Sequence, residues 1–449
     1  MIVVDGDIRL SAAAVDDLVA RMAGGLRARG TRPGDVVAWQ LPNRWEVVVL
    51  YRACWRLGAI AAPVHHLLSP ADVDAALSHV QPRLVVEAAD LERLLDAEPV
   101  HDGAAKPSDI AVALFTSGSS GPPKAALHTQ EALFYKGRLM TGVHGVGRDD
   151  AVLMPAPLAH ISGLLNAVLL PEAAGMKVVL QRRWDPDEAA RLIETEAVTV
   201  MMGPPTFFHD LRQAATPVRS LRLVSCGGTG VTPDFVDETA RAFRCVVKRT
   251  YGSTEAPTVT TAHAGDPAHK ARSTDGRPTG SVELRIDEHT GELLVRGPEV
   301  FVGYTDPDRT AAAFDDDRWF RTGDTGTIDD DGWLTVTGRC RDVIIRGGEN
   351  IAMAEIGAVC EAHRAVRQAV AFGLPDERLG QRVAVAVVLA HGAAGFDIDE
   401  CRRWFSARGV ATFKTPEVVT VVDALPMLAA GKPDRRALAQ RLATRSTGV

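Results

Sequence analysis

One segment of the sequence concentrates reactive residue types at useful spacing. It runs Leu114-Phe-Thr-Ser-Gly-Ser-Ser-Gly-Pro-Pro-Lys-Ala-Ala-Leu-His-Thr129. An apolar run enters a loop of hydroxyls and glycines, and a lysine follows. Small residues such as Gly118 and Gly121 let the backbone approach a phosphate chain, and the loop's N–H groups form an anion nest. Thr116, Ser117, Ser119 and Ser120 add hydroxyl donors. Lys124 adds a mobile positive charge. The loop is not a Walker A, because no Ser or Thr follows the lysine and the spacing differs. A flexible surface turn is the bland alternative. Hydroxyl density and Pro-Pro-Lys after a buried strand argue for phosphate handling instead. Only eight of the 50 basic residues are lysine. The composition favours arginine, so Lys124 and Lys432 are kept against its drift.

Elements must position these groups. Short apolar runs read as strands at 35–41, 83–87, 110–116, 151–155, 198–203, 221–226 and 245–250. Helical patterns lie between them, at 15–29, 45–57, 71–80 and 233–243. Such alternation predicts an α/β fold with mostly parallel sheets. Near Ser281 the texture changes to alternating strands, 281–286 and 292–296, joined by a hairpin signal at 287–291. Strands 319–324 and 333–337 follow, which predicts a small antiparallel sheet or barrel. From Arg341 a third texture begins. It has strands at 342–346, 367–372, 383–389 and 417–422 and helices at 353–363, 398–409 and 435–443. About 110 residues of this kind could fold alone.

The Leu114–Thr129 segment resembles the phosphate loop of the adenylate-forming superfamily: acyl-CoA synthetases, peptide-synthetase adenylation domains and luciferases. The resemblance continues in register along nearly the whole chain. Thr250-Tyr-Gly-Ser-Thr-Glu255 resembles the segment in which the Tyr251 position packs on adenine, with Gly252 in the turn. Its Thr254 position contacts the α-phosphate and its Glu255 position holds Mg²⁺, with Thr116 as a second oxygen. A hard cation takes carboxylate and phosphate oxygens. Ser225-Cys-Gly-Gly-Thr-Gly230 is similar to the family's glycine turn beside adenine and acyl group, with Gly227 and Gly228 at its centre. Thr229-Gly230 stands where the family commonly has Ala-Pro, and Ala125 where it usually has Gly.

The same resemblance assigns further roles. Trp319-Phe-Arg-Thr-Gly-Asp324 matches the ribose-binding segment, with Asp324 accepting from the ribose hydroxyls and Arg339 reaching the nucleotide. Arg341 falls at the hinge position, usually Lys or Asp. Ile345–Ile351 is similar to the segment that swings over the site for the second half-reaction. There Gly347 and Gly348 would line the pantetheine channel. Leu428-Ala-Ala-Gly-Lys432-Pro-Asp resembles the catalytic-lysine loop, with Pro433 a departure. Pro155–Gly163 resembles the acyl-site segment. It implies His160 near the carboxyl group, with Gly163, Leu164 and Gly227 in the pocket. A satisfied core histidine is the rival reading for His160.

Composition sets the outer bounds. The 449 residues carry a net charge of −7, are 46% apolar and 24% charged, and have no basic run. A disordered tail, a collagen-like chain, a coiled coil and a nucleic-acid footprint are all disfavoured. Six scattered cysteines form no CxxC pair, which suits a reducing cytosol. No membrane span and no signal pattern are expected.

The expected architecture is a large N-terminal domain, 1–340, of two α/β sheet subdomains plus a small β-barrel-like subdomain. A small mobile α+β C-terminal domain, 341–449, follows. The resemblance implies a cytoplasmic, AMP-forming carboxylate–CoA ligase using ATP, Mg²⁺ and coenzyme A, as a monomer or homodimer. No Asp stands in the His160 segment where amino-acid-activating relatives place one, and the remaining pocket positions Ile161, Ser162, Met202 and Thr206 are small or apolar. An apolar monocarboxylate is therefore expected. The rivals are an acyl-AMP ligase loading a carrier protein's phosphopantetheine, a luciferase-like oxygenase and a silent binding protein.

Overall fold

The structure, a computed structural model, describes residues 1–116, 124–228, 230–340, 342–346, 349–376, 378–427 and 433–446. The chain divides into two compact units. The first comprises Met1–Arg285, Leu294–Arg321 and Ile328–Thr335. The second comprises Ile286–Leu293, Thr322–Thr327 and Val336–Val449.

The first unit is built on two sheets. In the nine-stranded sheet, Ala151–Met154, Val200–Gly203, Leu223–Gly227 and Val246–Tyr251 run parallel and adjacent, with Val200 opposite Val152 and Ser225 opposite Lys248. These strands are apolar without alternation because both faces are covered. Val152, Met154, Val200 and Met202 enter one core. Ala151, Leu153, Met201 and Val224 enter another on the opposite face. The period of two along a strand produces that division. The six-stranded sheet has parallel strands Val36–Trp39, Ile60–Pro63 and Leu84–Val86 beside the antiparallel hairpin Ile110–Thr116 and Lys124–Thr129.

Helix Trp45–Leu57 packs Trp39 against Tyr51, with ring centroids 5.0 Å apart. It ends at Gly58, whose φ of +69° is a left-handed cap. Helix Gln130–His144 starts where Thr129 Oγ1 accepts from the Ala132 N–H.

The third sheet orders Glu283–Ile286, Glu292–Arg296, Phe320–Ile328 and Leu334–Arg339. In the second unit, Val366–Asp376 and Gly380–Leu389 form a long antiparallel pair. Val418–Val421 adds in parallel. Helices Met353–Glu361 and Ile398–Ala407 cover a core of Val383, Val385 and Val387, while Ala384 and Ala386 face Leu438. The fold class read from the sequence holds: mixed α/β with several sheets.

Several elements differ from the expected boundaries. Lys124–Thr129, for which the sequence predicts no strand, forms one, because Ile110–Thr116 supplies its hydrogen-bond partners. Ile2–Asp5 was not expected as a strand; it pairs in parallel with Lys177–Leu180. Glu349–Ala352, for which the sequence predicts no strand, pairs antiparallel with Val343–Arg346. Ordinary β propensity is low in the first and third of these, and sheet neighbours override it.

Candidate active site

The parallel strands of the first unit aim their carboxyl ends at the segments singled out above. Ala151–Met154 leads into Pro155–Gly163, Leu223–Gly227 into Gly228, and Val246–Tyr251 into Gly252–Glu255. Open α/β sheets bind ligands at that end.

The hairpin sets Thr116 directly opposite Lys124, so the ends of the hydroxyl-rich loop lie side by side. Strand Gly303–Tyr304 pairs antiparallel with Lys124–Thr129, which places Tyr304 beside Ala126. Lys124 Nζ donates to the Tyr304 hydroxyl at 2.5 Å and lies 3.3 Å from Glu255 Oε1. The same hydroxyl donates to Glu255 Oε1 at 2.7 Å. A cation, a phenol and a carboxylate thus form one chain. Lys124 also sits 4.1 Å from the Tyr304 ring centroid, a cation–π contact. Burial first, then the Glu255 charge, push the Tyr304 phenol well above its ordinary pKa, so it stays a donor. Glu255 is 8% exposed.

The loop bearing Glu255 is fixed from several sides. The Phe301 N–H donates to the Glu255 carbonyl at 2.8 Å. His128 Nε2 donates to the Thr254 carbonyl at 2.8 Å. Burial pushes the His128 imidazole down to about 4, so it is neutral, with the proton on Nε2. A Cβ on Gly252 would stand 2.3 Å from the Thr258 N, and one on Gly227 would stand 2.3 Å from the Thr250 carbonyl oxygen. Both glycines are therefore dictated by close backbone approach.

The acyl-site segment is held by its neighbours. Asn43 Nδ2 donates to the carbonyls of Met154 and Ala156, and the Tyr51 hydroxyl donates to the Leu158 carbonyl at 2.8 Å. His160 caps the short helix Ile161–Leu164 and is exposed. His65 meets it edge-on at 5.5 Å and stacks on His66 at 5.1 Å. Burial, followed by the two neighbouring imidazoles, pushes His65 down to about 4. A Cβ on Gly163 would clash with the Pro157 carbonyl at 2.1 Å, and Leu164 is fully buried in the core.

In the second unit, Asp324 is 6% exposed and pairs with Arg339, Oδ1 to Nε 2.9 Å. The Cys340 N–H donates to the Gly323 carbonyl at 2.8 Å, which ties the end of Leu334–Arg339 to the interior of Phe320–Ile328. Ser117, Gly118, Ser119, Ser120, Gly121, Arg341, Gly347, Gly348 and Lys432 lie outside the described residues.

The oxygen donors fit a magnesium ion. Thr116 Oγ1 is buried with no hydrogen-bond partner among the described residues, and Glu255 offers a carboxylate. Among the described residues no group of three or more His, Cys, Asp or Glu could hold a metal. Magnesium keeps several waters and takes one or two protein oxygens plus phosphate oxygens, so two suffice.

Three contributors escaped the sequence reading: Tyr304, His128 and the His65–His66 pair. Tyr304 is one of only four tyrosines, which was a usable signal. His128 lies inside the Leu114–Thr129 segment but carries no motif role.

Residues 1–305 match the family model described as AMP-binding enzyme, and residues 355–432 match AMP-binding enzyme C-terminal domain. The medium-chain fatty-acid–CoA ligase of Escherichia coli is 28% identical over 97% of this chain and 86% of its own. The indoleacetate–CoA ligase of Aromatoleum aromaticum is 33% identical over 94% and 91%. The crystal structure of ATP-bound MatB from Rhodopseudomonas palustris superposes with a TM-score of 0.89 at 26% identity, over 98% and 95%.

Proposed function

The chain belongs to the AMP-binding enzyme family and is an AMP-forming acid–CoA ligase that uses ATP and coenzyme A with Mg²⁺; from this we propose that its acid is an apolar monocarboxylate, medium-chain, alicyclic or aromatic. The observation that carries the site reading is the chain from Lys124 through Tyr304 to Glu255 at the mouth of the hydroxyl-rich loop. Lys124 and Glu255 are each other's partner in the free protein. MgATP offers each a stronger one, phosphate oxygens for the ammonium and the metal for the carboxylate. Bound Mg²⁺ would neutralise phosphate charge as pyrophosphate departs.

The remaining roles follow the chain. Thr116 and Glu255 would hold the metal. Ser117–Gly121 cradle the phosphates, Tyr251 covers the adenine, and Asp324 and Arg339 take the ribose side. Thr254 orients the α-phosphate. A carboxylate oxygen of the acid attacks the α-phosphorus, the bond to the β-phosphate oxygen breaks, and pyrophosphate leaves. Lys432 bridges the acid's carboxylate and the α-phosphate, offsetting charge that develops in that step. Residues 1–340 then act as the adenylation domain. Residues 341–449 act as a lid that turns about Arg341 and exchanges Lys432 for Gly347 and Gly348 along the pantetheine channel. Separate lids let one site run two steps. The thiol sulfur bonds to the acyl carbon, and AMP leaves. We place the enzyme in the cytoplasm, a setting its six free cysteines suit.

The substrate class is supported by two relatives named for a medium-chain fatty acid and for indoleacetate. The buried Met202 and the half-buried Ile161, both assigned to the acyl side, are apolar, in keeping with such an acid. The test is kcat/KM across medium-chain, alicyclic, arylacetic, dicarboxylic and amino acids. Apolar monocarboxylates should lead. Preference for a dicarboxylate would overturn the substrate class, and activity only with a phosphopantetheinylated carrier protein would replace free CoA.

A further inference from the structure

A buried ion pair stands behind the Glu255 loop. Lys136, on helix Gln130–His144, and Glu299 have fully buried side chains, with Nζ and Oε1 2.9 Å apart. Lys136 Nζ also donates to the Thr258 carbonyl at 2.8 Å and to Thr279 Oγ1 at 2.8 Å. An ammonium has three N–H donors, so all are used. Thr279 Oγ1 lies 3.0 Å from the Thr258 carbonyl, which is thus held twice.

Thr258 needs holding. Its φ is +44°, in the left-handed region, where a β-branched residue is an outlier. Its backbone N–H side is packed against Gly252. Gly252 and Thr258 therefore form the closed neck of a loop whose tip carries Thr254 and Glu255. Glu299 belongs to the same segment as Phe301, which donates to the Glu255 carbonyl, and Tyr304, which donates to the Glu255 carboxylate. The 299–304 segment thus reaches the neck of the loop through Lys136 and its tip directly through Phe301 and Tyr304.

The pair is a poor device for stability alone. Glu299 Oε2 is buried and has no hydrogen-bond partner among the described residues. Desolvating both charges is expensive, and an orphaned carboxylate oxygen leaves part of that cost unrecovered. A well-packed apolar pair would serve the core as well. What an apolar pair lacks is a donor for the Thr258 carbonyl.

We propose that Lys136 and Glu299 are positioning residues for adenylation, locking the neck of the Gly252–Thr258 loop so that Glu255 is presented to the metal and phosphates. This rests on the reading of Glu255 as the metal carboxylate, and the test separates the two. The variant is the full-length double substitution Lys136→Met with Glu299→Leu, which removes both charges and keeps the volume. Thr279→Val, which buries no unpaired charge, is the second variant.

Two quantities are read: hydrogen exchange of peptides spanning 252–258, and the Mg²⁺ concentration at half-maximal ATP–pyrophosphate exchange. The double variant should keep strand peptides protected while loop protection falls ~10-fold, equivalent to about 1.4 kcal/mol. Half-saturating Mg²⁺ should rise by a similar factor, and Thr279→Val should move both in the same direction by less. Native protection of the loop in a folded double variant overturns the proposal. If the double variant does not fold, native loop protection in Thr279→Val overturns it. A loosened loop with unchanged Mg²⁺ dependence keeps the positioning role and removes the metal role of Glu255. Glu255→Gln checks that role separately.

Discussion

Gly252→Ala is the sharpest perturbation the site offers. The added Cβ would meet Thr258 N at 2.3 Å, Thr258 Cα at 2.9 Å and the Ala256 carbonyl oxygen at 3.0 Å. All three are backbone atoms. Ordinary van der Waals contact begins at 3.4 Å, so the backbone must open by about 1 Å. The Thr258 side is tied through its carbonyl to Lys136 and Thr279, so it yields last. The 253–256 side moves instead and carries Glu255 with it. Overpacking of this kind costs ~1–3 kcal/mol of stability. A 1 Å displacement of a reacting group costs ~100-fold in rate. The assay is acid-dependent ATP–pyrophosphate exchange, run beside thermal unfolding. Gly142→Ala is the control: Gly142 is an exposed helix residue with nothing within 4 Å of a new Cβ. It should gain ~0.5–1 kcal/mol and keep its activity. A Gly252→Ala enzyme within about threefold of the parent, under ~1 kcal/mol of barrier, would refute the reasoning.

Other substitutions test other links. Tyr304→Phe removes the hydroxyl between Lys124 and Glu255 but keeps the ring, so unfolding free energy should fall by ~1.5–3 kcal/mol, the worth of a hydrogen bond to a charged group; denaturant titration reads it, and an unchanged midpoint would contradict the geometry. His128 is neutral when folded, with its pKa pushed down to about 4, whereas the unfolded chain titrates near 6.5. Its contribution is therefore complete above about pH 6.5 and is lost as pH falls towards 4, by about 3 kcal/mol. His128→Gln should flatten that part of the profile of melting temperature against pH, and an identical slope would contradict the assignment. Lys432→Ala should cripple adenylation and spare thioester formation from supplied acyl-AMP, while Gly348→Leu should do the reverse; equal loss of both half-reactions in either variant would remove its assigned role.

The strands and helices of the first unit were legible where pattern and burial agree. Trp45–Leu57 and Pro233–Phe243 are apolar on the faces they bury and lie where the periodicity puts them. Ile110–Thr116 has the continuous apolar run of a strand covered on both faces. Lys124–Thr129 was not legible, because Ala-Ala-Leu-His-Thr is a strand only in the company of its neighbours. The site divides in the same way. Glu255 and Lys124 stand in motifs whose residue types state their chemistry. Tyr304 lies 180 positions from Lys124, and its part depends on the pairing of Gly303–Tyr304 with Lys124–Thr129, a long-range fact that no local pattern encodes. Lys136 had the scarcity of lysine in its favour, yet its meaning depends on Thr258, Thr279 and Glu299, which the fold brings together from three distant stretches.

The central claim is that the acid's own oxygen attacks the α-phosphate before CoA takes the acyl group. It is tested most directly by incubating the enzyme with MgATP, CoA and an apolar acid carrying oxygen-18 in both carboxylate oxygens, then analysing the released AMP by mass spectrometry. The account predicts AMP bearing a single labelled oxygen on its phosphate, formed in step with the thioester. Unlabelled AMP, or label in inorganic phosphate with release of ADP, would contradict it.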